Sequence, residues 1–209
     1  ILTLRRGAQP GASRTRNDLL AAMLAAPDGL RTLTLWCQIW ADGLVPPVVA
    51  QPFLAQVLRP LRKPNGMPRN IALLEVFFKL ASGVTQDEIR VKQSQEGLDW
   101  HQYGAQPSGP ELMLAVGQAA MNLRPDLAYI SLDAKNAFGV ASRAGMLRAA
   151  SKWCPAHARF MCNMWRDDPV AWIEELPGEW RSVTVSGGSA QGDTSSTPCF
   201  SRGMRLARE

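Results

Sequence analysis

The chain has 209 residues, 46% of them hydrophobic and 20% charged, a balance that excludes a disordered polymer and allows one domain or a pair of subdomains to bury a core. Its formal charge of +5, with 18 arginines and 5 lysines against 18 acidic residues, permits contact with a polyanion without requiring it. The most apolar region, residues 33–58, is broken by Asp42, Gly43 and Pro46-Pro47, and Arg5-Arg6 precedes no signal-like apolar run, so neither a membrane span nor secretion is expected.

Residues 1–15, with Gly7, Pro10, Gly11 and Ser13, predict irregular chain. Asn17-Asp18 offers capping oxygens for a helix over 19–26, stopped by Pro27-Asp28-Gly29, and a second helix fits 30–41 before Gly43. After the two prolines, 53–61 has the alternation of a strand. Lys63-Pro64-Asn65-Gly66 then predicts a turn, because proline presets one dihedral and Asn-Gly accepts positive φ. The spacing of Leu73, Leu74, Phe77, Leu80, Ala81 and Val84 predicts a helix over 73–91. Ser108-Gly109-Pro110-Glu111 has capping-box spacing for a helix to 123, closed by Pro125.

Residues 129–133 read as a strand, with Ile130 and Leu132 on one face and Tyr129, Ser131 and Asp133 on the other. Helices fit 142–152 and 156–166, a hairpin fits 170–185 through Pro177-Gly178, and 191–209 turns helical after Gly187-Gly188. Helices alternating with short strands predict an α+β fold with one small antiparallel sheet packed with helices.

Cys37, Cys154, Cys162 and Cys199 show no CxxC pair and no His at ligand spacing, so they read as buried thiols of a reducing compartment. His101 and His157 stand far apart, which argues against a zinc or His-dependent centre. Among the carboxylates Asp133 is the most informative. At the end of an apolar strand it would be a hard oxygen ligand on a rigid element, as Mg²⁺-dependent phosphoryl transfer requires; the alternative is that it caps the following turn.

Ile130-Ser131-Leu132-Asp133-Ala134-Lys135-Asn136-Ala137-Phe138 resembles motif A of reverse transcriptases of the non-LTR retrotransposon and group II intron type. Three more blocks resemble that family in its order. Leu58-Arg59-Pro60-Leu61-Arg62-Lys63-Pro64-Asn65-Gly66-Met67-Pro68-Arg69-Asn70-Ile71 resembles the fingers motif, with Asn70 where the family has proline. Gln102-Tyr103-Gly104 with Ser108-Gly109-Pro110-Glu111 resembles the block before motif A. Gly187-Gly188-Ser189-Ala190-Gln191-Gly192-Asp193 resembles motif B, with Thr194 where proline is usual and Pro198 one place late.

The resemblance implies a partial right-hand polymerase fold, with a fingers-like region over 1–101 and part of a palm, holding motifs A and B, over 102–209. It implies that Asp133 is catalytic and that Asp133 and Ala134 are metal-binding positions for Mg²⁺, two ions in the complete enzyme. Lys63 and Arg69 would clamp the triphosphate, a point charge and a bidentate fork respectively. Phe138 would sit under the sugar of the incoming nucleotide and reject a 2′-hydroxyl, while Gln191 and Gly192 would line the base-pair pocket. Read without the family, Phe138 is a core aromatic, Lys63 and Arg69 a solvated basic turn, and 187–193 a glycine-rich loop.

The partners implied are an RNA template, a DNA primer and deoxynucleoside triphosphates, in an intracellular setting, nuclear for a eukaryotic retroelement. The second carboxylate motif, aromatic-x-Asp-Asp, should follow motif B, yet no Asp stands after Asp193. Trp165-Arg166-Asp167-Asp168 has similar letters but precedes motif B and reads as a helix end. The expectation is therefore an RNA-directed DNA polymerase fragment, inactive alone. The alternatives are a truncated or decayed nucleic-acid-binding module and an unrelated α+β scaffold with a basic patch.

Overall fold

The computed structural model describes residues 9–64, 66, 68–97 and 102–206. Asn65, Met67, His101 and the ends of the chain, among them Arg5-Arg6 and residues 207–209, lie outside the described residues. The chain is α+β, with helices packed on a small mixed sheet of four strands.

Helix α1 (Asn17–Ala25) and helix α2 (Gly29–Ala41) form near their expected bounds. Asn17 and Asp18 fall inside the first turn of α1, whose cap is Arg16. In α2, Leu33, Cys37 and Trp40 recur at helical spacing and all three are buried. The Pro46-Pro47 pair begins helix α3 (Pro47–Leu54), with Pro47 in the first turn, where a missing N–H costs nothing. The strand expected from 53 therefore starts later, as β1 (Gln56–Arg62).

β1 turns back into β2 (Pro68–Leu74), in antiparallel register from Gln56 opposite Leu74 to Arg62 opposite Pro68. Leu73 and Leu74 close this strand instead of opening a helix, which begins as α4 (Val76–Gly97). Short apolar runs such as 71–74 do not distinguish the two states by periodicity. Helix α5 (Gly109–Leu123) follows a 3₁₀ turn at Tyr103–Ala105. Ser108 makes no side-chain cap bond to α5 and sits in the left-handed region, with φ 51°.

The strand expected over 129–133 does not form: this stretch is unpaired, with Tyr129 58%, Ile130 77% and Leu132 90% exposed. A strand needs a partner for its backbone, and no described strand pairs with this stretch. After the short helix α6 (Ala137–Val140), α7 (Arg143–Trp153) and α8 (Pro155–Trp165) form as expected, and Ser142 caps α7 by accepting from Gly145 N at 3.1 Å.

The hairpin of β3 (Val170–Leu176) and β4 (Glu179–Thr184) turns at Gly178, whose φ of 84° suits glycine. β3 joins β1 in parallel over Gln56–Leu58, giving the order β2-β1-β3-β4, so the sheet is mixed and not antiparallel throughout. Parallel pairing of strands so distant in sequence has no local signature. Helix α9 (Ser196–Leu206) ends the described chain, with Pro198 tolerated in its first turn.

The main core joins α2, α3, α4, α7, α8 and α9 to the inner sheet face. Trp40, Phe78 and Phe160 are fully buried at its centre, Trp40 edge-on to Phe78 with centroids 5.5 Å apart and Phe78 stacked on Phe160 at 5.8 Å. The opposite sheet face carries Arg59, which pairs with Glu174 at 2.6 Å and lies 5.4 Å over the Trp180 ring.

Candidate functional site

The β1–β2 hairpin carries Lys63 and Arg69 to its solvent end. The turn between them closes by Gly66 N donating to Lys63 O at 2.9 Å, with Gly66 at φ 78°. Both side chains are exposed, and the Lys63 ammonium makes no hydrogen bond or ion pair with the described residues. Arg69, opposite Leu61 in the ladder, is instead held from outside the hairpin.

That hold comes from Gln191. Its side-chain oxygen accepts from Arg69 Nε at 3.1 Å and Nη2 at 2.7 Å, while its amide nitrogen donates to the Asn70 carbonyl at 3.1 Å. Only this orientation of the amide gives each atom a partner of the right kind. The backbone docks as well: Ala72 N donates to Gln191 O at 3.0 Å, so the loop extends the outer edge of β2. Gly192 follows at φ 127°, and a Cβ there would fall 2.7 Å from the Ala72 carbonyl oxygen. Glycine is required at this position by both conformation and space.

Asp193 anchors the loop. It is buried, and its Oδ1 accepts from Ser82 Oγ in α4 at 2.6 Å and from Ser195 N at 3.2 Å, while Oδ2 accepts from Ser195 Oγ. Burial raises its pKa above the ordinary carboxylate value, against the lowering effect of these bonds. Thr194 meets Ser82 Oγ through its hydroxyl at 2.9 Å.

Upstream in the same loop, Gly188 N donates to Ala141 O at 3.1 Å and Ser189 N to Phe138 O at 2.8 Å. Gly188 has φ 65°, and a Cβ on it would approach Phe138 O within 2.3 Å. Phe138 itself is half-buried in α6, its ring centroid 5.1 Å from that of Phe200 in α9. Three stretches far apart in sequence thus meet: the hairpin end at Arg69, the helical turn at Phe138, and the loop 187–193 that touches both.

Asp133 and Ala134 are not held as expected. They lie in the unpaired stretch before α6, both exposed, and Asp133 makes no bond or ion pair with the described residues. No group of three or more His, Cys, Asp or Glu suited to a metal ion occurs among the described residues. One exposed carboxylate can serve a Mg²⁺ ion only together with substrate oxygens and water, so the described residues do not by themselves make up a two-ion centre.

Sequence reasoning missed Arg143. Its guanidinium donates to Val185 O at 2.7 Å, Gly187 O at 3.3 Å, Gly188 O at 2.9 Å and Asp168 Oδ1 at 2.7 Å. Asp168 therefore sits at the end of α8, as expected for the Asp167-Asp168 pair, but holds an arginine. Nothing in local spacing links residue 143 to 168 or 185–188. The block at 102–111 contributes Gln102, whose Oε1 accepts from Gly104 N at 2.9 Å, and its 3₁₀ turn packs on α4 and α9.

No protein-family model matches the chain, and no curated protein matches it either. Among the described residues no helix is long and apolar enough to cross a membrane. Of the cysteines, all of them free thiols, Cys37 and Cys199 are buried, Cys154 is intermediate and Cys162 exposed, which corrects the expectation of four buried thiols. His157 is buried with Nε2 3.3 Å from Cys199 Sγ, and burial lowers its pKa to about 4.

Proposed function

We propose that this chain is the fingers and part of the palm of a reverse transcriptase of the non-LTR retrotransposon and group II intron type. The observation that carries the reading is the junction of Gln191 with Arg69. Two blocks separated by more than a hundred residues, recognised independently of any fold, meet side chain to side chain and strand edge to loop.

In this reading Lys63 and Arg69 take the triphosphate of an incoming deoxynucleotide, Lys63 as a mobile point charge and Arg69 as a fork already oriented by Gln191. Holding the guanidinium in place before substrate arrives lowers the ordering cost of binding. Gly192 keeps the loop backbone close to β2, and Phe138 stands near it as the check on the sugar. Asp133 is the catalytic and metal-binding carboxylate, and with Ala134 marks where Mg²⁺ would neutralise phosphate charge. The complete enzyme would join deoxynucleotides to a primer 3′-hydroxyl on an RNA template, most of the rate coming from positioning and charge stabilisation.

A second reading, a nucleic-acid-binding module without turnover, is favoured by one observation: no group of three or more His, Cys, Asp or Glu suited to a metal ion occurs among the described residues. Titrating the chain with a primer–template and Mg-dTTP separates these readings from an unrelated scaffold. Both predict primer–template binding that weakens steadily with salt, and the polymerase reading alone predicts triphosphate binding lost in Arg69→Ala. Binding of neither ligand at low ionic strength would sink both.

A further inference from the structure

We propose that Arg143 is the positioning residue of the Phe138 site, fixing the gap between Phe138 and the Gly187-Gly188-Ser189 loop and, through it, the preference for deoxy- over ribonucleoside triphosphates. The nucleotide half of this proposal rests on the reverse-transcriptase reading; the positioning half rests on geometry alone.

Arg143 is the first residue of α7, directly after the Ser142 cap, so the start of a rigid helix sets its origin. Its side chain is only 14% exposed, and four of its donor contacts converge on one short loop and one carboxylate. Three of the acceptors are the carbonyls of Val185, Gly187 and Gly188, where the chain leaves β4 and enters the loop. The fork is backed by Trp165, whose ring lies 6.0 Å below the guanidinium carbon, and by Asp168. Burial lowers the guanidinium pKa, and the Asp168 carboxylate opposes that.

The loop held in this way is the one that touches Phe138. Gly188 and Ser189 donate their amides to Ala141 and Phe138, and the 2.3 Å that a Cβ on Gly188 would leave to Phe138 O shows how little separates the two backbones. A planar fork spreads five fixed donors over three nitrogens and can reach three carbonyls and a carboxylate at once, whereas an ammonium places its three donors on a single atom. Displacing the loop would break its amide bonds to the Phe138 and Ala141 carbonyls and so shift the turn that carries Phe138, and misplacement of about 1 Å at such a site is costly.

The test uses the full chain with Arg143→Ala, Arg143→Lys and Phe138→Ala. Amide exchange is followed at Gly188 and Ser189, and binding is titrated with Mg-dTTP and Mg-UTP. Arg143→Ala should raise exchange at both amides by about tenfold while leaving the β1–β2 ladder protected, and should bring the dTTP-to-UTP affinity ratio toward that of Phe138→Ala. Arg143→Lys, which keeps the charge and guards against a failure of the alanine variant to fold, should fall between. Unchanged exchange in both Arg143 variants would overturn the proposal alone. Equal binding of dTTP and UTP by the unaltered chain would overturn its nucleotide half together with the polymerase reading.

Discussion

Asp193 accepts a hydrogen bond from Ser82 Oγ at 2.6 Å, with both residues buried, so the loop after Gly192 is tied to the second turn of α4. Asp193→Ala would leave the Ser82 and Ser195 hydroxyls and the Ser195 N–H without their acceptor. The expected loss is about 2–3 kcal/mol, read as a fall in the denaturant midpoint without change of slope. A loss under about 0.5 kcal/mol would mean that water or another acceptor takes over.

The same carboxyl gives a pH signature. Its folded pKa is raised above the unfolded value, so the folded state binds the proton more tightly, and this stabilisation is full below pH 3.8 and lost as pH rises through the folded pKa. The stability of Asp193→Asn relative to the unaltered chain should therefore improve between pH 4 and neutrality. A difference independent of pH would show that the site does not titrate as described.

His157 works in the opposite direction. Its folded pKa is lowered from 6.5 to about 4, so its contribution is present above 6.5 and lost as pH falls toward 4. Acidification across that window should cost about 3 kcal/mol, and His157→Gln should flatten the loss. Thermal melts of the two proteins at pH 7 and pH 4.5 decide the matter: parallel losses would rule out His157 as the source.

Lys63 and Arg69 lend themselves to separate measurement. Each alanine substitution should weaken Mg-dTTP binding while leaving the dependence of log primer–template affinity on log salt unchanged, whereas a slope reduced by about one unit would place the residue on the nucleic-acid backbone instead. Arg69 and Gln191 should also be coupled in a double-mutant cycle on Mg-dTTP binding by about 1 kcal/mol, within the range for residues in contact. Additive losses would leave Gln191 with no part in orienting the guanidinium.

Ile130 and Leu132 are exposed on an unpaired stretch. Ile130→Lys with Leu132→Glu should leave the unfolding free energy within about 0.5 kcal/mol of the original, while lowering light scattering at high concentration. A large destabilisation would show that this stretch packs within the chain after all.

Much of the helical framework was legible because it rests on local chemistry. Ser142 before α7, Pro155 opening α8 and the Pro177-Gly178 turn between β3 and β4 each act within a few residues, and those bounds agree closely with the structure. What was not legible depends on distant partners. Val57, Leu73 and Trp172 share a sheet face only because β1 pairs with both β2 and β3, and residues 129–133 have strand-like alternation without a neighbour to bond. The residues marked as a site divide similarly. Gln191 and Arg69 were singled out separately and meet, whereas the Arg143–Asp168 hold on the loop was missed, since it joins residues that no spacing pattern connects.

The parallel pairing of β1 with β3 also orders events during synthesis. The bond from Arg59 to Glu174 spans 115 residues, so β1 waits with one edge unpaired until β3 has left the ribosome. The β1–β2 hairpin, by contrast, closes over a short turn and is ready early. For that interval the nascent chain displays the open flank of β1, with Val57 and Leu58 on it, to any other strand nearby. Slow translation between α4 and β3 would lengthen that interval, and aggregation during expression should rise with it.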